Sequence, residues 1–314
     1  MSSKADVVVI GGSAAGLTAA ITARRHYPDK NILVIRKEKV VPIPCGIPYI
    51  FETVGSPEKN LIPDAVLEKN KLDLLLAEAT GIDREKKVVA TSEGDVTYDR
   101  LVIATGSLPA MPPVPGFDKK GVYTVLKDVE YIRGLQKNVA GAQNVVVIGG
   151  GFIGIEFADE IRKLGDKNVT VVEMMPHCLS LAYDEEFCST MEEKLRERGV
   201  TLITNTKVSE VAGDGRAEKV VLEDGTELPV DLVILGIGAV ANVELARKAG
   251  LQIGLSGSIM VDRAMRTSDP AIFSCGDCAE KVSFFGGGRS PLKLASIATL
   301  EARIAGANLF GIRR

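Results

Sequence analysis

An α/β chain built from two strand–helix–strand units, with the second inserted into a split first, is what the sequence predicts, and three observations predict it. Two unbroken apolar runs, Val7-Val8-Val9-Ile10 and Val145-Val146-Val147-Ile148, are each followed at once by a glycine-rich turn. Runs of this length and β-branched content read as parallel strands buried on both faces. Each turn leads into a helical pattern and then a further apolar run, at residues 32–35 and 169–173, which completes the unit. The residues after 242 carry a strand and a helix but no complete unit of their own. The simplest topology returns them to the first domain, giving residues 1–112 and 243–314 as one domain and 113–242 as the other.

The elements follow in order. A helix is predicted over residues 14–26, then a strand over 32–35 and a loop carrying Pro44-Cys45-Gly46-Ile47-Pro48. Short strands are predicted around 72–78 and 87–91, and a buried strand at 101–106 that ends in glycine. Pro109, Pro112, Pro113 and Pro115 then break regular structure and mark a domain boundary. A helix over 128–137 precedes the second glycine turn. Residues 185–198 read as an amphipathic helix, with Phe187, Met191 and Leu195 at helical spacing. Strands at 201–203, 208–211, 219–222 and 232–235 finish this domain. Residues 271–274 form a strand leading into Cys275-Gly276-Asp277, and the last helix covers 294–309.

The composition narrows the function. The 314 residues are 25% charged and 46% hydrophobic, enough for two domains with cores of their own. A net charge of −3 without a long basic run argues against nucleic-acid or anionic-membrane binding. The N-terminal apolar run is too short for a signal peptide or a membrane span, and a cytoplasmic protein is expected. Five cysteines, odd in number and widely spaced, argue against a disulfide framework. The two histidines, His26 and His177, lie in no ligand-like cluster, and no metal is expected.

The glycine turns carry the chemistry. A strand, a tight turn and a helix N-terminus aim backbone N–H groups and the helix dipole at a pyrophosphate. Two such turns in one short chain point to two dinucleotides, with electrons passing from one to the other. In the second turn Gly149, Gly151 and Gly154 fit the fingerprint, and Glu173 stands where a carboxylate accepts from a ribose 2′-hydroxyl and repels a 2′-phosphate. This predicts NADH over NADPH. In the first turn Gly11 and Gly16 fit, Ser13 takes the middle glycine position, and the second strand ends in Arg36-Lys37-Glu38 rather than an acidic residue. The ribose contact there falls to Glu38 or to backbone. Structural turns without ligands remain the alternative for both.

Cys45 is the sharpest single residue. Pro48 suits the first turn of a helix, and a thiol at a helix N-terminus favours the thiolate. The position five residues on is Ile50, so no second cysteine is at hand. Chemistry at Cys45 pairs one protein thiol with an external sulfur, oxygen or a redox cofactor; the alternative is a buried, unreactive cysteine. Cys275 and Cys278 have a C-x-x-C spacing, but the glycine between them reads better as a turn that offers Asp277 to a ligand hydroxyl. Cys178 and Cys188 read as structural, and His177 as a solvated loop residue.

Taken together, residues 11–16, Pro44-Cys45-Gly46-Ile47-Pro48-Tyr49, Ala104-Thr105-Gly106, residues 149–154 with Glu156, residues 272–279 and Leu294-Ala295-Ser296 resemble the FAD-dependent pyridine nucleotide-disulfide oxidoreductases. The likeness is greatest to their single-cysteine branch, which holds NADH oxidases, coenzyme A disulfide reductases and persulfide reductases. The resemblance implies two Rossmann-like nucleotide-binding domains, the NAD domain inserted into a split FAD domain. It implies FAD on Gly11, Ser13, Ala14, Ala15, Gly16, Arg36, Lys37, Pro44, Ala79, Ala104, Thr105, Gly106, Gly276, Asp277, Leu294 and Ala295. It implies NADH on Gly149, Gly151, Phe152, Ile153, Gly154, Glu173 and Gly238, and a catalytic Cys45. The acceptor would be a small disulfide such as that of coenzyme A, a persulfide or O2; Arg24 and Arg25 are candidates for coenzyme A phosphates.

Two departures from the family stand out. Its members carry a C-terminal domain that makes a homodimer, and this sequence stops at Arg314, where that domain would begin, so the domain is expected to be absent. Val240-Ala241 replaces an Arg-Pro common in the family before Asn242. Two other readings share the nucleotide sites: a flavin reductase serving a protein carrier such as a rubredoxin or ferredoxin, which does not need Cys45, and a non-catalytic nucleotide-binding module.

Overall fold

Ser3–Ile10 and Asn144–Ile148 are the strands around which two parallel sheets assemble. The computed structural model describes residues 3–283 and 286–311. The chain divides into one unit of Met1–Ile43, Ile62–Leu108 and Val240–Arg314, and another of Pro44–Leu61 and Pro109–Ala239.

In the first unit Val7, Val8 and Val9 are fully buried, as expected of a strand covered on both faces. Ser3–Ile10 lies between Ile32–Arg36 and Val96–Ile103, both parallel to it, with Asp73–Leu76 beyond Ile32–Arg36. Ile272–Ser274 pairs in parallel with Leu101, Val102 and Ile103. Val88–Thr91 and Ala79–Asp83 extend the sheet as antiparallel strands. The strand predicted over 101–106 starts earlier and ends at Ile103, leaving Ala104, Thr105 and Gly106 as a turn in which Gly106 has φ +69°.

Ala14–His26 and Ala295–Asn308 pack against one another through small residues. Ala19, Ala20 and Ala23 belong to the same buried cluster as Ala302 and Ala305, and a Cβ on Gly306 would lie 2.5 Å from the Ala19 carbonyl oxygen. Side chains this small let the helix backbones approach closely. The Tyr27 hydroxyl donates to the Ala307 carbonyl at 2.6 Å and fastens the far end. By this helix and by Ile272–Ser274 the C-terminal residues join the first unit.

The second unit holds a five-stranded parallel sheet in the order Val122–Thr124, Leu232–Leu235, Asn144–Ile148, Asn168–Val172, Thr201–Ile203. Its antiparallel sheet is Val208–Ala212, Lys219–Leu222 and Glu227–Pro229. Helix Val129–Gly141 runs past its predicted end, and Glu185–Glu197 forms as predicted with a different inner face. Cys188, Glu192 and Leu195 are buried, while Phe187 and Met191 are exposed. The buried carboxylate is tolerated because Glu192 accepts the Cys178 N–H at 2.8 Å and pairs with Arg196 at 3.2 Å. His177 is not freely solvated either: its ring nitrogens lie 3.5 and 3.6 Å from Glu192 and Glu185.

The segment Pro44–Leu61 packs with the second unit, although the chain on either side of it belongs to the first. Ile47, Ile50 and Phe51 are buried in one core with Leu135, Phe157 and Ile161. Among the described residues no helix is long and apolar enough to cross a membrane.

Candidate active site

At the first turn, Gly11 has φ +123° and its N–H donates to the Ile35 carbonyl at 2.9 Å. A Cβ there would lie 2.2 Å from the Ala104 oxygen, and one on Gly16 would lie 1.9 Å from the Gly11 oxygen, so both positions require glycine. Ser13 is the N-cap of Ala14–His26 but its side chain makes no cap bond, and the first turn holds no acidic residue. The N–H groups of the half-buried Ala14 and Ala15 are therefore left to an outside acceptor, as an anion site requires.

Around this turn, Thr105 Oγ1 donates to the Asn242 carbonyl at 2.6 Å and the Asn242 N–H donates to the Gly106 carbonyl at 2.9 Å. Asp277 accepts from the Ser107 hydroxyl at 2.8 Å. Gly276 has φ +80° and donates its N–H to the buried carboxylate of Glu301 at 2.8 Å. Burial pushes the Glu301 carboxyl above its ordinary value, and Lys281, 3.4 Å away, opposes this while donating to the Gly276 carbonyl at 2.7 Å. This clamp holds the turn that presents Asp277. Leu294 caps Ala295–Asn308 without a side-chain bond. Ala79 opens the strand Ala79–Asp83 and packs on the apolar cluster, and Lys37 pairs with Glu78 at 3.5 Å. Arg24 is committed to the carbonyls of Pro28, Lys30 and Lys71 at 2.7–2.8 Å, which removes it as a phosphate contact.

The second turn repeats the first more regularly. Gly149 has φ +104°, and a Cβ on Gly154 would lie 1.9 Å from the Gly149 oxygen. A Cβ on Gly151 would meet nothing within 4 Å, and Gly151 caps Phe152–Lys163 without a side chain. Glu173 follows directly on Asn168–Val172; its carboxylate accepts the Gly150 N–H at 2.5 Å and the Met175 N–H at 2.7 Å. These bonds fix its direction and leave lone pairs on both oxygens free to accept further hydrogen bonds. Ile153 packs on the core, Phe152 meets Tyr183 edge-on at 5.9 Å, and Gly238 has φ +94° with open space beside it.

Cys45 lies in the short 3-10 turn Pro44–Gly46, followed by a second, Pro48–Phe51, with Pro48 in its first turn. The expected helix start is thus a four-residue 3-10 helix, too short for the dipole of an α-helix. Cys45 is exposed, whereas Cys178, Cys188, Cys275 and Cys278 are buried and free. Burial pushes Cys178 up to about 12 and Cys275 well above the ordinary thiol range. A Cβ on Gly46 would lie 1.9 Å from Asn60 Oδ1, so glycine lets the two halves of the loop close.

Side chains of Phe152–Lys163 hold this loop. Glu160 accepts the Thr53 N–H and hydroxyl, each at 2.8 Å, and pairs with Lys163 at 2.5 Å. Phe51 meets Phe157 edge-on at 5.0 Å. The Tyr49 hydroxyl donates to Glu156 at 3.3 Å. Burial raises the Glu156 carboxyl, and the charge on Glu156 raises the Tyr49 hydroxyl in turn.

The sequence profile described as pyridine nucleotide-disulphide oxidoreductase matches residues 5–302. The chain belongs to that family. This oxidoreductase is 36% identical over 316 residues to the NAD(P)H coenzyme A polysulfide/persulfide reductase of Pyrococcus horikoshii, covering 98% of this chain and 70% of that one. It is 34% identical over 318 residues to the NADH oxidase of Methanocaldococcus jannaschii, covering 97% and 70%. Among solved structures, the NAD-dependent persulfide reductase from A. fulgidus superposes with a TM-score of 0.91 at 37% identity over 98% of this chain. The oxidoreductase spans about 60% of that protein's length.

The family carries FAD and NAD(P)H, and the two turns fit such groups: each has a helix whose N-terminus has no side-chain cap and glycines that close against backbone, and the second has open space beside Gly151. Sequence reasoning missed Ser107, Lys281 and Glu301 behind Asp277, and Thr53 and Glu160 behind Cys45. Nothing in their local spacing marks them: Ser107, Glu301, Thr53 and Glu160 act across 25 or more residues of sequence, and Lys281 closes on Glu301 from 20 residues away.

Proposed function

We propose that this oxidoreductase is an NADH-dependent flavoprotein whose electrons leave through Cys45 to a small acceptor: a persulfide, a disulfide such as that of coenzyme A, or O2. The observation that carries the reading is the single exposed thiol, fixed in a turn that the helix of the Glu173-side glycine motif holds in place. On this reading Gly11, Ser13, Gly16, Ala104, Gly106 and Asp277 hold FAD, and Gly149, Gly151, Gly154 and Glu173 hold NADH. The dinucleotides, when bound, supply hydride transfer from NADH and two-electron delivery. Cys45 supplies the sulfur chemistry. Its thiolate attacks one sulfur of a disulfide RSSR, an S–S bond to Cys45 forms, and the other sulfur leaves as a thiolate that takes a proton. Two electrons and a second proton then release RSH and restore the Cys45 thiolate. Free, unpaired cysteines accord with a reducing, cytoplasmic setting.

Anaerobic NADH titration of protein carrying Cys45 as a mixed disulfide tests this. The native protein is expected to consume one two-electron equivalent more than Cys45→Ser. Equal consumption takes Cys45 off the electron path and leaves a flavin reductase serving a protein carrier. The preference for NADH has its own test. Glu173→Ala is expected to raise the KM for NADH about tenfold and to leave NADPH turnover equal or better, since a charge-assisted bond and a like-charge repulsion are both removed. An unchanged ratio of the two KM values removes Glu173 from the ribose contact.

A further inference from the structure

The two glycine turns are equivalent position by position, and at one position their charge is opposite. Ile10 pairs with Ile35 in the first unit and Ile148 with Val172 in the second, so Arg36 and Glu173 are the first residues beyond that pairing. Each faces the second glycine of its turn. A Cβ on Gly12 would lie 2.5 Å from Cδ of Arg36, and one on Gly150 would lie 3.1 Å from Cβ and Cγ of Glu173. Where the second unit places a carboxylate, the first places a guanidinium.

That guanidinium is not alone. Arg36 is 3% exposed, its Nε has no hydrogen-bond partner, and its Nη2 donates to the Lys39 carbonyl at 3.0 Å. The same Nη2 lies 2.8 and 2.9 Å from the two carboxylate oxygens of Asp64, whose side chain is 53% exposed. Asp64 precedes the helix Ala65–Lys69 but makes no cap bond to it, so its carboxylate serves Arg36 and solvent. A bare arginine at this position would suit a ribose bearing a 2′-phosphate. Pairing it with Asp64 offsets the positive charge and sets carboxylate oxygens beside the guanidinium.

We propose that Asp64 is the specificity-determining carboxylate of the first unit: positioned by Arg36, it accepts from the ribose hydroxyls of the adenosine half of the dinucleotide bound there. On the same reading Glu173 would do this work directly in the second unit; in the first the chain delivers the carboxylate from 28 residues further on, through an ion pair with Arg36. The proposal rests on the reading of the first unit as the FAD site.

The test is equilibrium binding of FAD, FMN and a 2′-deoxyadenosine analogue of FAD to the flavin-free full chain, followed by flavin fluorescence, for native protein, Asp64→Asn and Asp64→Ala. The side chain is half-exposed, so both variants are expected to fold, which thermal melting checks. FAD affinity is expected to fall about tenfold in Asp64→Ala, with FMN, which lacks the adenosine, unchanged. The deoxy analogue is expected to bind the native protein about tenfold more weakly than FAD and to lose nothing further in Asp64→Ala. Equal FAD affinity in all three proteins overturns the proposal, as does an equal loss of FAD and FMN, which marks a merely structural role. Native protein that binds no FAD overturns the site reading itself, and the proposal with it.

Discussion

Gly154→Ala is expected to abolish NADH binding and to destabilise the second unit by about 3 kcal/mol or more. The added Cβ would lie 1.9 Å from the Gly149 oxygen and 3.3 Å from Val147, so helix Phe152–Lys163 must move off the strand it follows. Both contacts are with the sheet and the turn, where no flexible side-chain end can yield. Gly151→Ala makes the contrast. Gly151 sits at φ −75° with nothing within 4 Å, so alanine is free to fold there, yet its methyl group projects into the space beside the uncapped N–H groups. Urea melts and NADH titrations of the pair should separate the effects. Gly154→Ala loses stability and binding; Gly151→Ala keeps the native melt and binds NADH more weakly. A Gly151→Ala protein with native NADH affinity would mean that the dinucleotide does not approach this turn.

Glu160→Ala is expected to cost about 3 kcal/mol and to loosen the turn that carries Cys45. The carboxylate is fully buried, and its removal leaves the Thr53 N–H without its acceptor and the Lys163 ammonium with Asp159 as its remaining carboxylate, 3.1 Å away. Burial alone would raise the Glu160 carboxyl, but the bonds from Lys163 and Thr53 outweigh it and hold the group below its ordinary value. A lowered native value means that the unfolded chain binds the proton more readily. Glu160 therefore stabilises the fold above the ordinary glutamate pKa of about 4.3, and this contribution fades as pH falls through the lowered native value. The stability of the native protein should drop below about pH 4 more steeply than that of Glu160→Gln. Faster labelling of Cys45 by a thiol reagent in Glu160→Ala is the local readout. Equal labelling rates would show that the clamp does not govern the thiol.

The parallel strands and the helices behind both glycine turns were legible because their signals are local. The unbroken valine runs, the glycines at fixed offsets and the helical stretch over 14–26 each lie within a few residues. What could not be read depends on partners distant in sequence. The stripe of Phe187, Met191 and Leu195 looked like the inner face of a helix, yet Phe187 turns outward to meet Tyr183 at 6.4 Å because Glu192 finds enough partners to occupy the interior. Arg36 could be seen to break the dinucleotide pattern, but its neutralisation by Asp64 could not. Ile47, Ile50 and Phe51 are apolar enough to be buried anywhere; only packing against Phe157 and Leu135 shows which core takes them.

That last assignment has a consequence for how such a molecule can be taken apart or recombined. The chain changes unit after Ile43, Leu61, Leu108 and Ala239, so no single cut separates one unit from the other. A fragment of residues 109–239 alone would lack the strip that covers Phe157 and Leu135 and would present that bare surface to solvent. Residues 44–61 travel with it or it is incomplete. Cys45 therefore belongs with the unit of Pro44–Leu61 and Pro109–Ala239 rather than with the chain that flanks it, and an exchange of residues 109–239 alone between relatives leaves that cysteine behind.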